Sequence, residues 1–96
     1  MTNAQAVELV GQIGKGNIFA ISGGRVALIG GELLLKVANG YAVKVALADN
    51  DTYTVQRVFR GKVKAEAFNV FADEVGEVAY TASCYFNRDF GVAVAA

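Results

Sequence analysis

The spacing of hydrophobic positions changes twice along this chain. Ala6, Leu9, Val10 and Ile13 recur at i, i+3, i+4 and i+7, which places one apolar stripe on an α-helix. Thr2 and Gln5 have capping-box spacing: the hydroxyl accepts from the N3 amide while the N3 side chain reaches back to the cap amide. Gly14 supplies the stop, because glycine takes up the left-handed conformation past a helix end without penalty. A helix over 3–13 is predicted.

From Asn17 to Phe68 the period shortens to two, and Gly23-Gly24, Gly30-Gly31, Asn39-Gly40 and Gly61 punctuate the chain. Six strands are predicted, over 17–21, 25–29, 32–37, 41–47, 52–59 and 62–68. Their short connections favour sequential antiparallel pairing, a meander. At Asn39-Gly40 a two-residue turn would send the apolar sets of the flanking strands to opposite faces. A three-residue loop, Ala38-Asn39-Gly40 with Gly40 left-handed, instead pairs Val37 with Tyr41, Leu35 with Val43 and Leu33 with Val45, and this register is preferred. Strand 52–59 sets Tyr53, Val55, Arg57 and Phe59 on one side and Thr52, Thr54, Gln56 and Val58 on the other. Strand 62–68 sets Lys62, Lys64 and Glu66 opposite Val63, Ala65 and Ala67. The polar rows predict a solvated sheet face.

The last strong pattern predicts a helix over 70–86, with Asn69 as N-cap and Phe71, Val75, Val78, Ala79, Ala82 and Phe86 as its stripe. Asp73, Glu74 and Glu77 then lie in its N-terminal half, where the helix dipole favours negative charge. Gly76 costs about 1 kcal/mol relative to Ala in a helix, which predicts close packing against the sheet. Residues 87–96 form a short tail, with 91–96 either an added edge strand or a frayed end. The expected fold class is α+β. It comprises one small domain over 1–96 with an N-terminal helix, an antiparallel β-meander of five or six strands, and a C-terminal helix packed on one sheet face.

Composition narrows the chemistry. The chain has 96 residues, 54% of them hydrophobic, nine Lys plus Arg against nine Asp plus Glu, and no His. Without His, the commonest general base and the commonest metal ligand are both missing. Ser22, Ser83 and Cys84 therefore lack the usual partner that activates a nucleophile. Cys84 is the single cysteine, so neither an intrachain disulfide nor a multi-cysteine zinc site can form. Gly14-Lys15-Gly16 lacks the strand-to-helix setting of a phosphate loop. Asp49-Asn50-Asp51 reads as turn chemistry, and it lacks the downstream Gly and Glu of a calcium loop. No catalytic residue, cofactor-binding residue or metal ligand is assigned. No apolar run approaches the ~18 residues of a spanning helix, and no secretory signal is present at Met1-Thr2-Asn3-Ala4-Gln5. A cytoplasmic setting without membrane contact is expected.

Several segments resemble a diffuse family of small uncharacterised proteins of bacteriophages and mobile elements. They are Gln12-Ile13-Gly14, Asn17-Ile18-Phe19, Ser22-Gly23, Asp51-Thr52-Tyr53-Thr54-Val55 and Val70-Phe71-Ala72-Asp73. Arg57-Val58-Phe59-Arg60 and Glu74-Val75-Gly76-Glu77-Val78-Ala79-Tyr80 are similar to the version carried by phages of actinobacteria. Lys15 replaces the second glycine of the family's Q-(I/L)-G-G. The resemblance covers about 80 residues and brings no catalytic motif. It implies a phage-encoded accessory protein acting in a host cell.

Zero net charge hides a local imbalance. Arg57, Arg60, Lys62 and Lys64 cluster on the 57–64 hairpin with Phe59 among them, while Asp73, Glu74 and Glu77 gather on the last helix. Tyr and Arg are enriched at interface hot spots, so Arg57, Phe59, Arg60, Lys62, Lys64 and Tyr53 are the candidate partner-binding residues. Tyr41, Tyr80 and Tyr85 are further aromatics expected near the surface. The function expected is non-enzymatic: binding of a host protein through the polar sheet face and this hairpin, in host takeover or superinfection exclusion, by surface occlusion. The same charge asymmetry predicts self-association as a homodimer. Nucleic-acid binding through the basic hairpin is the alternative, ranked lower because four cations supply little of the phosphate-neutralising energy that dominates such affinity.

Overall fold

The computed structural model describes residues 1–87 and 89–94. Helix α1 spans Asn3–Ile13 and carries both halves of the predicted capping box. The Gln5 amide donates to Thr2 Oγ1 at 3.1 Å, and the Thr2 amide donates to Gln5 Oε1 at 2.8 Å. Thr2→Ala removes one of these bonds and is expected to cost about 1 kcal/mol. Thermal unfolding should report this as a fall of about 4–8 °C in Tm for a domain of this size.

The first departure from expectation follows directly. Residues 17–21 are helical, within α2 (Lys15–Ser22). The buried positions Ile18, Ile21 and Ser22 stand at i, i+3 and i+4, a spacing that the β-branched composition of the segment masks. Gly14, at φ +94°, separates α1 from α2, and Asn17 Nδ2 bridges them by donating to the Ile13 carbonyl at 2.9 Å. Gly23-Gly24, expected as a hairpin turn, instead ends α2, with Gly23 left-handed and its amide donating to the Phe19 carbonyl at 2.8 Å.

The sheet is a six-stranded antiparallel meander in chain order: β1 (Ala27–Ile29), β2 (Glu32–Lys36), β3 (Tyr41–Leu47), β4 (Tyr53–Phe59), β5 (Lys62–Val70) and β6 (Val92–Ala93). The sixth strand thus comes from the tail, while Ala95 and Ala96 lie outside the described residues. Between β2 and β3 the register is the predicted one, Leu33 opposite Val45 and Leu35 opposite Val43. Its turn is tighter than expected. Asn39 and Gly40 both have positive φ, the Tyr41 amide donates to the Ala38 carbonyl, and the Val37 amide donates to the Tyr41 carbonyl. Ala38 is therefore the extra residue that keeps both apolar rows on one face.

Strand β5 departs further. Val63 opposes Val58 but Ala65 opposes Arg57, so a bulge between them breaks the expected row of Lys62, Lys64 and Glu66. A second irregularity lies near Asn69, at φ +55°, and brings Val70 opposite Tyr53. That pairing retains Val70 in the sheet. Helix α3 accordingly spans only Val75–Ser83, with Glu74 rather than Asn69 at its N-cap. Asp73 and Glu74 fall in the turn ahead of it, and Glu77 alone is acidic in its first turn.

Val75, Ala79 and Ala82 of α3 are buried and Val78 is partly so, whereas Phe71 and Phe86, expected on the same stripe, lie beyond the helix and are exposed. α3 packs against β3, β4 and β5, and also against α1 and α2. The core combines Leu9 and Ile13 of α1, Ile18 and Ile21 of α2 and the α3 positions with Leu33, Leu35, Val43, Val45 and Val55 of the sheet. The opposite sheet face carries the polar pairs. Lys44 Nζ lies 3.4 Å from Glu32, and Gln56 Nε2 donates to Glu66 at 2.7 Å.

Candidate interaction surface

The six candidate residues separate into two groups by burial. Tyr53 and Arg57 sit on the helix-covered row of β4 and are buried, at 7% and 6% exposure. Tyr53 donates its hydroxyl proton to Gln12 Oε1 of α1 at 2.6 Å. Burial, and then the charge of Glu8, raise its pKa above the ordinary phenol value, with the Gln12 bond opposing them. It ties α1 to the sheet and lies some 20 Å along the strand from Phe59, at about 3.3 Å per residue.

Arg57 is a cap turned inward. Its Nε donates to the Ala82 carbonyl at 2.8 Å and its Nη1 to Asn87 at 2.7 Å, while Nη2 reaches Thr81 and Cys84 at 3.1 and 3.0 Å. The last carbonyls of a helix have no partners within it and form the negative end of its dipole. A strand residue supplies those partners here, with the guanidinium 5.0 Å from the Phe90 ring centroid. Burial lowers its pKa from the ordinary guanidinium value, opposed by Tyr41 and Cys84. Arg57 therefore holds the segment after α3 onto the sheet and offers nothing to a surface partner.

The other four stay near the surface, and the fold brings three of them together. Arg60 and Gly61, at φ +49° and +83°, form the turn that sets Phe59 opposite Lys62. The Arg60 guanidinium carbon lies 5.1 Å from the Phe59 ring centroid, within cation–π range. Among the described residues, neither Arg60 nor Lys62 has a carboxylate within 4.0 Å. Lys64 is half-buried beside β6, where its carbonyl accepts from the Val94 amide.

Tertiary structure adds aromatics from two other segments. The Tyr41 ring lies 4.6 Å from Phe59 and stacks on Tyr85 at 4.3 Å with an interplanar angle of 6°. Tyr85 contacts Phe86 edge-on at 6.0 Å. Asn39 Nδ2 donates to the Tyr85 hydroxyl at 2.6 Å, which joins the β2–β3 turn to the segment after α3. Phe86 is 80% exposed. The Tyr residues carried a composition signal, but Phe86 read as a core position because the apolar period suggested a helix running past Ser83.

The result is a continuous strip of Phe59, Arg60, Tyr41, Tyr85 and Phe86, with Lys62 beside it. No three His, Cys, Asp or Glu side chains among the described residues are grouped to hold a metal ion. Compared with known proteins, the chain matches no family model, no curated protein and no solved structure.

Proposed function

We propose that this chain is a non-enzymatic interaction protein that binds another protein through the Tyr41–Phe59–Arg60–Tyr85–Phe86 strip and acts by occluding the surface it covers. The observation that carries this reading is the exposed Phe86 ring, at 80%, continuous with stacked tyrosines and with an Arg60 that has no carboxylate within 4.0 Å among the described residues. An exposed aromatic cluster beside an arginine is the composition of an interface hot spot. The strip is held by three separate segments, so little ordering entropy remains to be lost on binding. The resemblance of the sequence to phage and mobile-element proteins makes a host protein the partner class.

Nucleic-acid binding ranks lower. With Arg57 inside, the hairpin offers Arg60, Lys62 and Lys64 instead of four cations, which weakens the phosphate term. Tyr41 and Tyr85 stack on each other, which leaves no gap between their rings for a base.

Tagged wild-type protein, Phe86→Ser and Arg60→Glu, each exposed to bacterial lysate with and without nuclease, test the reading. A protein retained by wild type after nuclease treatment, and lost at least ~10-fold with either substitution, is the expected result. Retention that vanishes with nuclease, or that ignores both substitutions, overturns it.

A further inference from the structure

We propose that the aromatic strip takes an acidic, extended segment of its protein partner, with carboxylates at Arg60 and Lys36 and an apolar side chain in the cavity beside the β2–β3 and β4–β5 turns. This names the partner class for the strip and rests on the protein-binding reading above. The first observation is where Arg60 stands. It precedes Gly61 in the two-residue turn between β4 and β5, at φ +49°, the first of two left-handed positions that Asn, Asp or Gly ordinarily fill. A long side chain at positive φ carries backbone strain, and strained positions cluster at binding sites. The fold accepts this cost and holds the side chain in place. The Arg60 amide donates to the Gly40 carbonyl at 2.9 Å, which joins the turn to the β2–β3 turn. The stem passes over Gly40, where an added Cβ would lie 3.1 Å from Arg60 Cγ, and the guanidinium rests by the Phe59 ring. Its planar fork of donors, with no carboxylate within 4.0 Å among the described residues, suits a carboxylate gripped by two bonds.

A cavity of about 520 Å³ adjoins the same two turns. Leu34, Ala42 and Val58 line it from the open sheet face and Gly40 and Gly61 from the turns, and among the described residues no acidic one forms its walls. Lys36, Ala42 and Val58 follow one another across β2, β3 and β4, so the small alanine leaves a hollow between a lysine and a valine. Val58 is only 5% exposed although it lies outside the main core, which gives the hollow an apolar floor. Lys36 is exposed and has no carboxylate within 4.0 Å among the described residues, whereas Lys44 already pairs with Glu32. Tyr41 borders the cavity and also stacks on Tyr85, so hollow and strip form one continuous surface.

Charge decides the occupant. Arg60, Lys62 and Lys36 flank this surface with no carboxylate within 4.0 Å among the described residues, and complementary charge steers encounter and suppresses wrong partners. An extended peptide places residues two apart on the same side, about 7 Å from one another. Acidic residues two positions to either side of an apolar one therefore direct two carboxylates and a hydrocarbon side chain to one face. A nucleic acid brings phosphates but no such side chain, and the stacked Tyr41 and Tyr85 offer its bases no gap.

Fluorescence anisotropy with two labelled peptide pools tests this. Each pool has a mixed apolar residue at the centre and Ser elsewhere, with Glu two positions to either side in one pool and Lys there in the other. The acidic pool should bind at least ~10-fold more tightly than the basic one, and the difference should shrink between ~50 and ~300 mM salt. Arg60→Asn should weaken binding of the acidic pool at least ~10-fold. Its unfolding midpoint should be no lower than that of wild type, since asparagine suits the turn. Lys36→Gln, at an exposed position, should weaken binding roughly 3-fold. Equal binding of the two pools, an Arg60→Asn variant that binds as wild type does or is less stable, or an oligonucleotide that displaces the acidic pool at lower concentration than unlabelled peptide, overturns the proposal. The lysate experiment separates the two readings. A Phe86-dependent protein partner together with pools that bind alike leaves protein binding standing and removes the acidic segment, whereas the lack of any Phe86-dependent partner removes both.

Discussion

Arg57→Met is expected to lower the unfolding free energy by about 3–5 kcal/mol, the scale on which removing one partner of a buried charged network destabilises a protein. Methionine keeps the apolar stem and loses every donor. The carbonyls of Thr81, Ala82, Cys84 and Asn87 would be left without the guanidinium that joins them, and a buried acceptor without a donor costs about 1–3 kcal/mol. No carboxylate is among these partners, so the charge is balanced by the negative end of α3 and by the face of Phe90. Arg57→Lys should fall between the two, because one ammonium cannot reproduce a planar fork reaching four oxygens. Denaturant unfolding would read the loss, and Tm should fall on the order of 20 °C for a domain of this size. Amide exchange at 85–87 and 89–94 should accelerate more than in the rest of the chain, since Arg57 holds Asn87 and Phe90. A Met variant within 1 kcal/mol of wild type, or a Lys variant equal to it, would sink this account.

The second large effect comes from adding a single carbon. Gly76→Ala in an unconstrained helix would gain about 1 kcal/mol of propensity. At this position the new Cβ would collide with the Ile13 carbonyl oxygen and come within 2.9 Å of Asn17 Nδ2. Both atoms belong to the junction where α1 turns into α2, and the two are themselves hydrogen-bonded. Backbone cannot swing aside as a side-chain tip can, so α3 must lift from α1. A net loss of about 1–3 kcal/mol is expected, the usual cost of overpacking. Gly11→Ala is the control: it lies in α1 with nothing within 4 Å of its Cβ, and it should stabilise by up to about 1 kcal/mol. Opposite signs for the same chemical change, measured by thermal unfolding, are the diagnostic result. If both variants gain stability, the close approach of α3 to α1 is wrong.

These two residues also show how far the sequence could be read. Alternation along β4 sets Arg57 on the row of Tyr53 and Val55, where the structure has it, yet a cation in a basic stretch predicts a surface position. The sign that it belonged inside was its place in an apolar row. Gly76 predicts a close approach to the sheet, and the structure has the close approach but to the α1–α2 junction, which a strand over 17–21 does not provide. Of the six candidate surface residues, Phe59, Arg60 and Lys62 stand together. The strip they belong to owes as much to Tyr41, Tyr85 and Phe86, which come from two other segments.

What the sequence determined by itself was local. It included the capping box and extent of α1, the turns at Gly30-Gly31, Asn39-Gly40, Asp49-Asn50-Asp51 and Gly61, the β2–β3 register, and the sequential meander, because short connections and period-two rows leave few other ways to bury one face. Tertiary structure decided the rest. Ile18 and Ile21 are three apart, a helix spacing that β-branched composition disguises over so short a segment, and packing beneath α3 selects the helix. Val70 could open a helix, but pairing with Tyr53 retains it in the sheet. Arg57 became a helix cap because the carbonyls of α3 come to rest above β4, an arrangement that depends on residues some 25 positions away and leaves no trace in the local pattern.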